Sequence, residues 1–375
     1  RELLEVNPVF QPANLAMRNA WFSGVVEWNV GLVGHCPFTC SPVFAARVEG
    51  PGGTPVLRLY EWERIRGVPF QVDAYLPDGS PVLFVRVRIT NPNRREVPMY
   101  WWSNMAVPET PDTRVLVPAD HSYRLGYGRG VQKVNVPYCE GKDVSYTTHL
   151  DHAMDFFFRI PDGHRPWITA LDGKGRGLVQ TSTDRLKGRK LFLWGQGAGG
   201  KHWQEFLSQS GHAYLEIQAG LARTQAEHLP MAAGAEWSWL EAYGLMQADP
   251  GVAHGKDWAQ AHSHVEEKLE AMVPRARLEE EYEKGRAMAD RAPAEIVQRG
   301  SGWGALEALR RQGAGEPPFC SSALVFDEGT LGPEQSAWVG LLRRGEMPAA
   351  DPAAGVASFM VQAEWRGMLE VATKK

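Results

Sequence analysis

Apolar and polar positions alternate along the first two-thirds of the chain. From Val82 to Thr90 the run VLFVRVRIT sets Leu83, Val85, Val87 and Ile89 against Phe84, Arg86, Arg88 and Thr90. A period of two over this length predicts a strand with one buried and one wetter face. Val56–Trp62 (VLRLYEW) alternates in the same way, and Phe156–Ile160, Lys190–Trp194 and Ala213–Ala219 continue the pattern. Turn chemistry separates these runs. PDGS at 77–80, Asn91-Pro92-Asn93, EGPGG at 49–53, PDG at 161–163 and DGKG at 172–175 all combine Pro, Gly, Asn or Asp. Pro presets φ, and Gly or Asn tolerates left-handed backbone. Strands joined at this spacing describe an antiparallel, mainly β architecture.

The pattern changes after Ala248. Between Lys256 and Gln312 the chain is rich in Ala, Glu, Lys, Arg and Leu, with Val265, Leu269, Met272 and Val273 at helical spacing. This predicts helices, with Pro274 ending the first of them. GAGEPP at 313–318 breaks the helical stretch, and Glu334–Arg344 reads as a further short helix. The predicted division is a β domain over 1–248, a helical connector over 249–312, and a short mixed or helical tail over 313–375 that leads towards repeats. No complete 34-residue repeat signature is legible within it.

Composition narrows the function classes. Of 375 residues, 43% are hydrophobic and 22% charged, and the formal net charge is −4. That is ordinary for a folded chain and offers a polyanion no overall attraction. The short basic stretch RLKGRK at 185–190 reads as a solvated turn, so no nucleic-acid partner is expected. No run approaches the ~20 apolar residues that cross a bilayer, so no membrane partner is expected either. Cys36, Cys40, Cys139 and Cys320 form neither a disulfide framework nor a zinc spacing, which predicts a reducing, cytoplasmic setting. The chain opens at Arg1 without Met and stops at Lys374-Lys375. The expectation is a protein trimmed at both ends.

Two stretches are more specific than any spacing. One is MYWWSNMAVPET, Met99–Thr110; the other runs from Gly188 to Gly244 and includes GRKLFLWGQGAGGKHWQEFLS and YLEIQAGLARTQAEHLPMAAGAEWSWLEAYG. Together they resemble a bacterial domain of unknown function, number 5107 in its naming series, often followed by tetratricopeptide repeats. The resemblance covers Asn7 to Gly244. It implies a galactose mutarotase-like antiparallel supersandwich, a fold shared by aldose epimerases and by domains of glycosidases and polysaccharide lyases. It also implies that strands preceding Asn7 are missing. A fold of this kind does not supply a function, so the site has to be argued from residues.

Aromatic residues give the first pointer. Ten of the 14 Trp lie between Trp21 and Trp239. Indoles fill a large core, and they also stack on the apolar C–H faces of sugars. Chemistry at an anomeric centre needs a proton donor and a proton acceptor, commonly two carboxylates or a carboxylate and a His. Four acids sit among aromatics. Glu216 shares a strand face with Tyr214 and Gln218, which Thr224 and Gln225 extend. Glu205 lies between Trp203 and Phe206, where desolvation would suit a general acid. Glu241 shares a face with Trp237 and Trp239. Glu109 ends the block in which Tyr100, Trp102 and Asn104 share a face. The predicted catalytic acids are therefore Glu216, Glu205, Glu241 and Glu109. Trp102, Asn104, Trp203, Tyr214, Gln218, Trp237 and Trp239 are the predicted sugar contacts.

Each of these faces can equally be core or solvated surface. His35, and His149 with His152 about Asp151, are weaker candidates; no third ligand follows, so no metal or other cofactor is expected. Gly195–Gly200 (GQGAGG) lacks the Lys-Ser/Thr ending of a phosphate-binding loop. No Gly-x-Ser-x-Gly elbow is present for a serine hydrolase. The sequence thus points to a domain that recognises or processes a saccharide, by glycosidase-type or epimerase-type acid/base chemistry if it is an enzyme. The alternative is a non-catalytic β scaffold whose helical region binds a protein partner.

Overall fold

A computed structural model describes residue 4 and residues 25–36, 38, 39, 41–126, 130–349 and 358–374. Asn7, Trp21 and Cys40 lie outside the described residues.

The alternating runs form two large antiparallel sheets. One has seven strands, in the order Val26–Val30, Trp101–Pro108, Tyr214–Gly220, Gly188–Leu193, Met154–Phe158, His121–Gly126 and Gly130–Asn135. The other has nine, running Glu295–Gln298, Phe44–Glu49, Pro55–Glu63, Val68–Tyr75, Val82–Thr90, Glu236–Gln247, Arg176–Ser182, Trp167–Leu171 and Arg114–Leu116. They face one another across a single core. Met105, Leu191, Leu215 and Ile217 come from the first sheet, and Val85, Val87, Ile89 and Trp239 from the second. Trp101 meets Trp239 edge-on across this interface at 5.3 Å. The architecture is an antiparallel supersandwich followed by a helical C-terminal region, as the alternation and its later change of period require.

Helices Trp258–Met272 and Arg275–Ala289 lie against the outer side of the nine-stranded sheet. Their Val265, Leu269, Leu278 and Met288 join the main core. Pro274 stands between them as predicted. Two expectations change here. The face carrying Arg86 and Arg88 is not wet. Arg88 donates to Ala289 O at 2.6 Å and Arg86 sits over the Tyr282 ring at 5.1 Å. Helical cover has turned a solvent-type face into a polar interface. Arg58, fully buried and bonded to Asp73 at 2.7 and 3.0 Å, likewise donates to Met288 O and Arg291 O at the end of the second helix. Cationic donors at a helix C-terminus satisfy its last carbonyls. In addition, Glu295–Gln298, within the stretch read as helical, is a strand that pairs with Phe44–Glu49. The helical region is thus tied to the sheet by side-chain bonds and by a shared ladder.

A second core binds the last helices, Trp303–Gly313, Pro333–Arg344 and Ala363–Glu370. Trp303, Trp338 and Trp365 pack with Trp62 from the sheet. No helix among the described residues is long and apolar enough to cross a membrane.

Candidate site on the outer face of the seven-stranded sheet

In the strand Tyr214–Gly220, Leu215, Ile217 and Ala219 point into the core between the sheets. Glu216 and Gln218 therefore point outward, since successive side chains alternate. Register extends this outward row across four strands. Glu27 pairs with Asn104, Asn104 with Gln218, and Gln218 with Lys190. One residue pair along, Glu216 faces Phe192, which faces Asp155.

These side chains bond to one another. Gln218 donates to Glu216 Oε2 at 2.6 Å and accepts from Gln225 Nε2 at 2.8 Å. Lys190 Nζ reaches Gln225 Oε1 at 2.5 Å and Asp155 at 2.7 Å, and lies over the Phe157 and Phe192 rings at 5.4 and 5.5 Å. At the other end His35 Nδ1 is 2.7 Å from Glu27 Oε2, which also accepts from Asn29 at 3.1 Å. Asn29 in turn holds the His35 loop by accepting from Cys36 N at 2.6 Å.

Burial pushes the Glu216 carboxyl above the usual carboxylate range. His35 and Lys190 pull it down, and Glu27 pushes it up. Two buried acceptor atoms in the row, Glu27 Oε1 and Asn104 Oδ1, have no hydrogen-bond donor among the described residues. Buried acceptors are nearly always paired, so two in one row call for an explanation. The arrangement offers one carboxyl of raised proton affinity, a carboxylate–imidazole pair, an ammonium group and unpaired acceptors on one sheet face.

The sequence-predicted residues divide into three groups. Glu216, Gln218, Asn104 and Trp102 come together on this face, with Gln225 beside them. The Trp102 ring is packed so closely over the neighbouring strands that a Cβ at Gly220 would stand 2.2 Å from it. It is fully buried and has no free face for stacking.

Glu109, Glu205, Gln196, Lys201 and His212 line a different cleft, of about 490 Å3. Glu109 accepts from Thr147 at 2.5 Å and Gln196 at 3.1 Å, and burial raises its pKa. The buried setting expected for Glu205 is not found. Residues 198–207 form a helix, so Glu205 is turned to solvent while Trp203 is half-buried. Tyr214 packs with Trp194 and Leu207 beside that helix.

Glu241 and Trp239 lie inside the sandwich, both fully buried, and Trp237 is half-buried under Arg185 at 5.4 Å. Alternation had placed all three on one face correctly. That face meets the other sheet, not a ligand cleft.

The glycine-rich loop spends its amides internally: Gln196 N and Gly197 N donate to Leu150 O and Asp151 O at 2.8 Å each. His149 Nδ1 is 2.9 Å from Asp143 O on the surface.

The local sequence pattern does not point to Glu27, Asn29, Lys190 or Asp155, and makes His35 only a weak candidate. Val26–Val30 (VEWNV) does carry a signal, because a Glu and an Asn alternate with apolar residues. Its partner strand lies more than seventy positions away, and only pairing brings Glu27 beside Asn104.

Residues 1–235 match the model of a family described as "Domain of unknown function (DUF5107)". Among solved structures, a TPR-domain-containing protein from Parabacteroides distasonis is 22% identical, with a TM-score of 0.55 over 65% of this chain. The chain spans 40% of the length of that structure. A putative mutarotase from Salmonella typhimurium superposes at a TM-score of 0.44 with 9% identity, over 66% of this chain and 79% of its own. A galactose mutarotase-like protein from Clostridium acetobutylicum does so at 0.40 with 11% identity, over 55% and 66%.

Proposed function

The chain belongs to the DUF5107 family, and from that premise we propose that the outer face of its seven-stranded sheet binds a saccharide and performs acid/base chemistry on it. The observation that carries this reading is the buried polar row from Glu27 to Lys190 with two acceptors left unpaired. A sugar presents many hydroxyl groups, each able to donate to such an acceptor and to accept from Lys190 Nζ. Phe192, half-buried, borders the row and suits the apolar face of a pyranose.

Ring opening of an aldose is the reaction that fits. One group takes the proton of the anomeric hydroxyl while another gives a proton to the ring oxygen. The C1–O5 bond breaks, the carbonyl rotates, and closure reverses both transfers. Glu216, with its raised proton affinity, is the donor to the ring oxygen. The Glu27–His35 pair accepts the anomeric proton, its carboxylate orienting the imidazole and stabilising the charge it gains. Glycoside hydrolysis would draw on the same donor.

The test is titration with glucose, galactose, mannose and xylose followed by tryptophan fluorescence and calorimetry, and mutarotation by polarimetry. We expect saturable binding, and loss of turnover by 100-fold or more in Glu216→Gln with circular dichroism unchanged. Absence of binding by every sugar, or full turnover in that variant, rejects the reading.

The TPR-containing structure supports a second reading for the helical region, a scaffold that engages a protein partner. Failure of all saccharides to bind would leave that reading standing.

A further inference from the structure

The outward line of the strand Gly188–Leu193 does not stop at Lys190 and Phe192. Trp194 continues it, and there the face opens into a cleft of about 710 Å3. Phe192, opposite Glu216 in register, meets Trp194 edge-on at 4.8 Å. Trp194 then stacks on Trp203 at 5.5 Å with 17° between the planes. An aromatic path thus leads from the proposed reacting centre to the cleft wall.

The helix that supplies Trp203 is fixed to the strand that supplies Glu216. The Gln204 amide donates to Tyr214 O at 2.7 Å and accepts from Tyr214 N at 3.1 Å. Cleft and centre are therefore held in one rigid relation.

The facing wall is polar and built in. Arg124 is 7% exposed and is held by Gln132 at 2.6 Å and Glu140 at 2.9 Å. Asp151 at the mouth is tied to Lys142 at 2.9 Å. Gly199 lines the cleft, and a Cβ there would project into open space, meeting nothing within 4 Å. Sites for small ligands run to about 300–1,000 Å3 with apolar walls and a few fixed polar groups. This cleft falls within that range of volume, with a lining that is polar and apolar in about equal share, and it lies beside the Glu216 row without being part of it.

We infer that the ligand is an oligosaccharide, with one terminal sugar at Glu216 and the next sugars in the Trp194–Trp203 cleft. The inference rests on the saccharide reading of the Glu216 row. Trp203, half-buried on the cleft wall and backed by Trp194, lies against the next sugars while Arg124 and Asp151 meet their hydroxyls. A monosaccharide would leave the cleft unfilled.

The experiment compares affinities of glucose, galactose, mannose and xylose with those of their di- and trisaccharides, by calorimetry on the full chain. The readout is the ratio of trisaccharide to monosaccharide affinity. We expect a ratio of tenfold or more, falling to within twofold of one in Trp203→Ala. Because the loss of an indole can loosen the helix, Gly199→Leu is the second variant. It fills open space, leaves the Trp194–Trp203 pair in place, and is expected to lower the ratio equally. A ratio near one in the unmodified protein, with the monosaccharide still bound, overturns the oligosaccharide inference and leaves the saccharide reading intact. A high ratio that survives both variants also overturns it. If no saccharide of any length binds, both fall.

Discussion

Glu216 and Glu241 are buried carboxyl groups on central strands of the two sheets, and they are held in opposite ways. Glu241 sits between the sheets and is surrounded by donors. Ser103, Gln180, Trp239 and Tyr243 bond it at 2.9, 2.9, 3.2 and 2.7 Å. Trp101 donates in turn to Ser103 at 3.1 Å, and burial together with Glu241 keeps the Tyr243 phenol protonated. Glu216 sits on the outer face, bonded by Gln218, with acceptors that lack a donor among the described residues on the next two strands. Burial alone therefore does not mark a reactive group. Four donors converge on the Glu241 carboxyl between the sheets, although the amide oxygen of Gln180 there is itself without a donor among the described residues, whereas Glu216 is held by the Gln218 amide on an outer face.

The largest effect that would test this contrast is on stability. Glu241→Ala strands four donors inside a dry interface and should cost about 3–5 kcal/mol in urea unfolding. Glu216→Gln keeps an acceptor for Gln218 and should cost far less. Equal losses would mean that both acids serve the fold, and the contrast would fail.

A middle-sized effect concerns pH. Burial raises Glu216 in the folded chain above its value in the unfolded chain, so the folded state holds the proton more tightly. The stability this gives is fully present below the unfolded value and is lost as pH rises through the folded one. Glu63, also buried and pushed up to about 7, titrates in both proteins and cancels in a difference. Unfolding free energy of the unmodified protein minus that of Glu216→Gln should therefore fall steadily from acid towards neutral pH. A flat difference would show that Glu216 ionises as freely folded as unfolded.

The same pair shows what the sequence could and could not reveal. Period two placed Glu216 with Gln218, and Trp239 with Glu241, correctly. It does not say what covers a face. Arg86 and Arg88 were read as wet because the helix above them begins nearly two hundred residues later. Glu241 was read as ligand-facing because the second sheet is invisible in a local pattern. Glu205 differs for another reason: standing between Trp203 and Phe206 in sequence suggests a desolvated carboxyl, but in a helix adjacent residues look in different directions, and residue 205 faces solvent. The Glu27–His35 pair needed a ladder between strands far apart in sequence, and no local signal supplies that.

The smallest effect is the most selective. Asn104 Oδ1 is buried without a donor among the described residues, so replacing it removes an acceptor that contributes no bond there. Leu matches Asn in side-chain heavy-atom count and in branching at Cγ, and Asn104→Leu strands no described partner at that atom. Its cost should stay within about 1 kcal/mol, in either direction. If the row is completed by hydroxyl groups of a sugar, the same change should weaken monosaccharide binding about tenfold, because a ligand donor loses its acceptor. The two measurements have to be made on one preparation. Lost affinity with intact stability places Asn104 on the ligand's side of the contrast. Lost stability with intact affinity would place it with Glu241, as part of the fold alone.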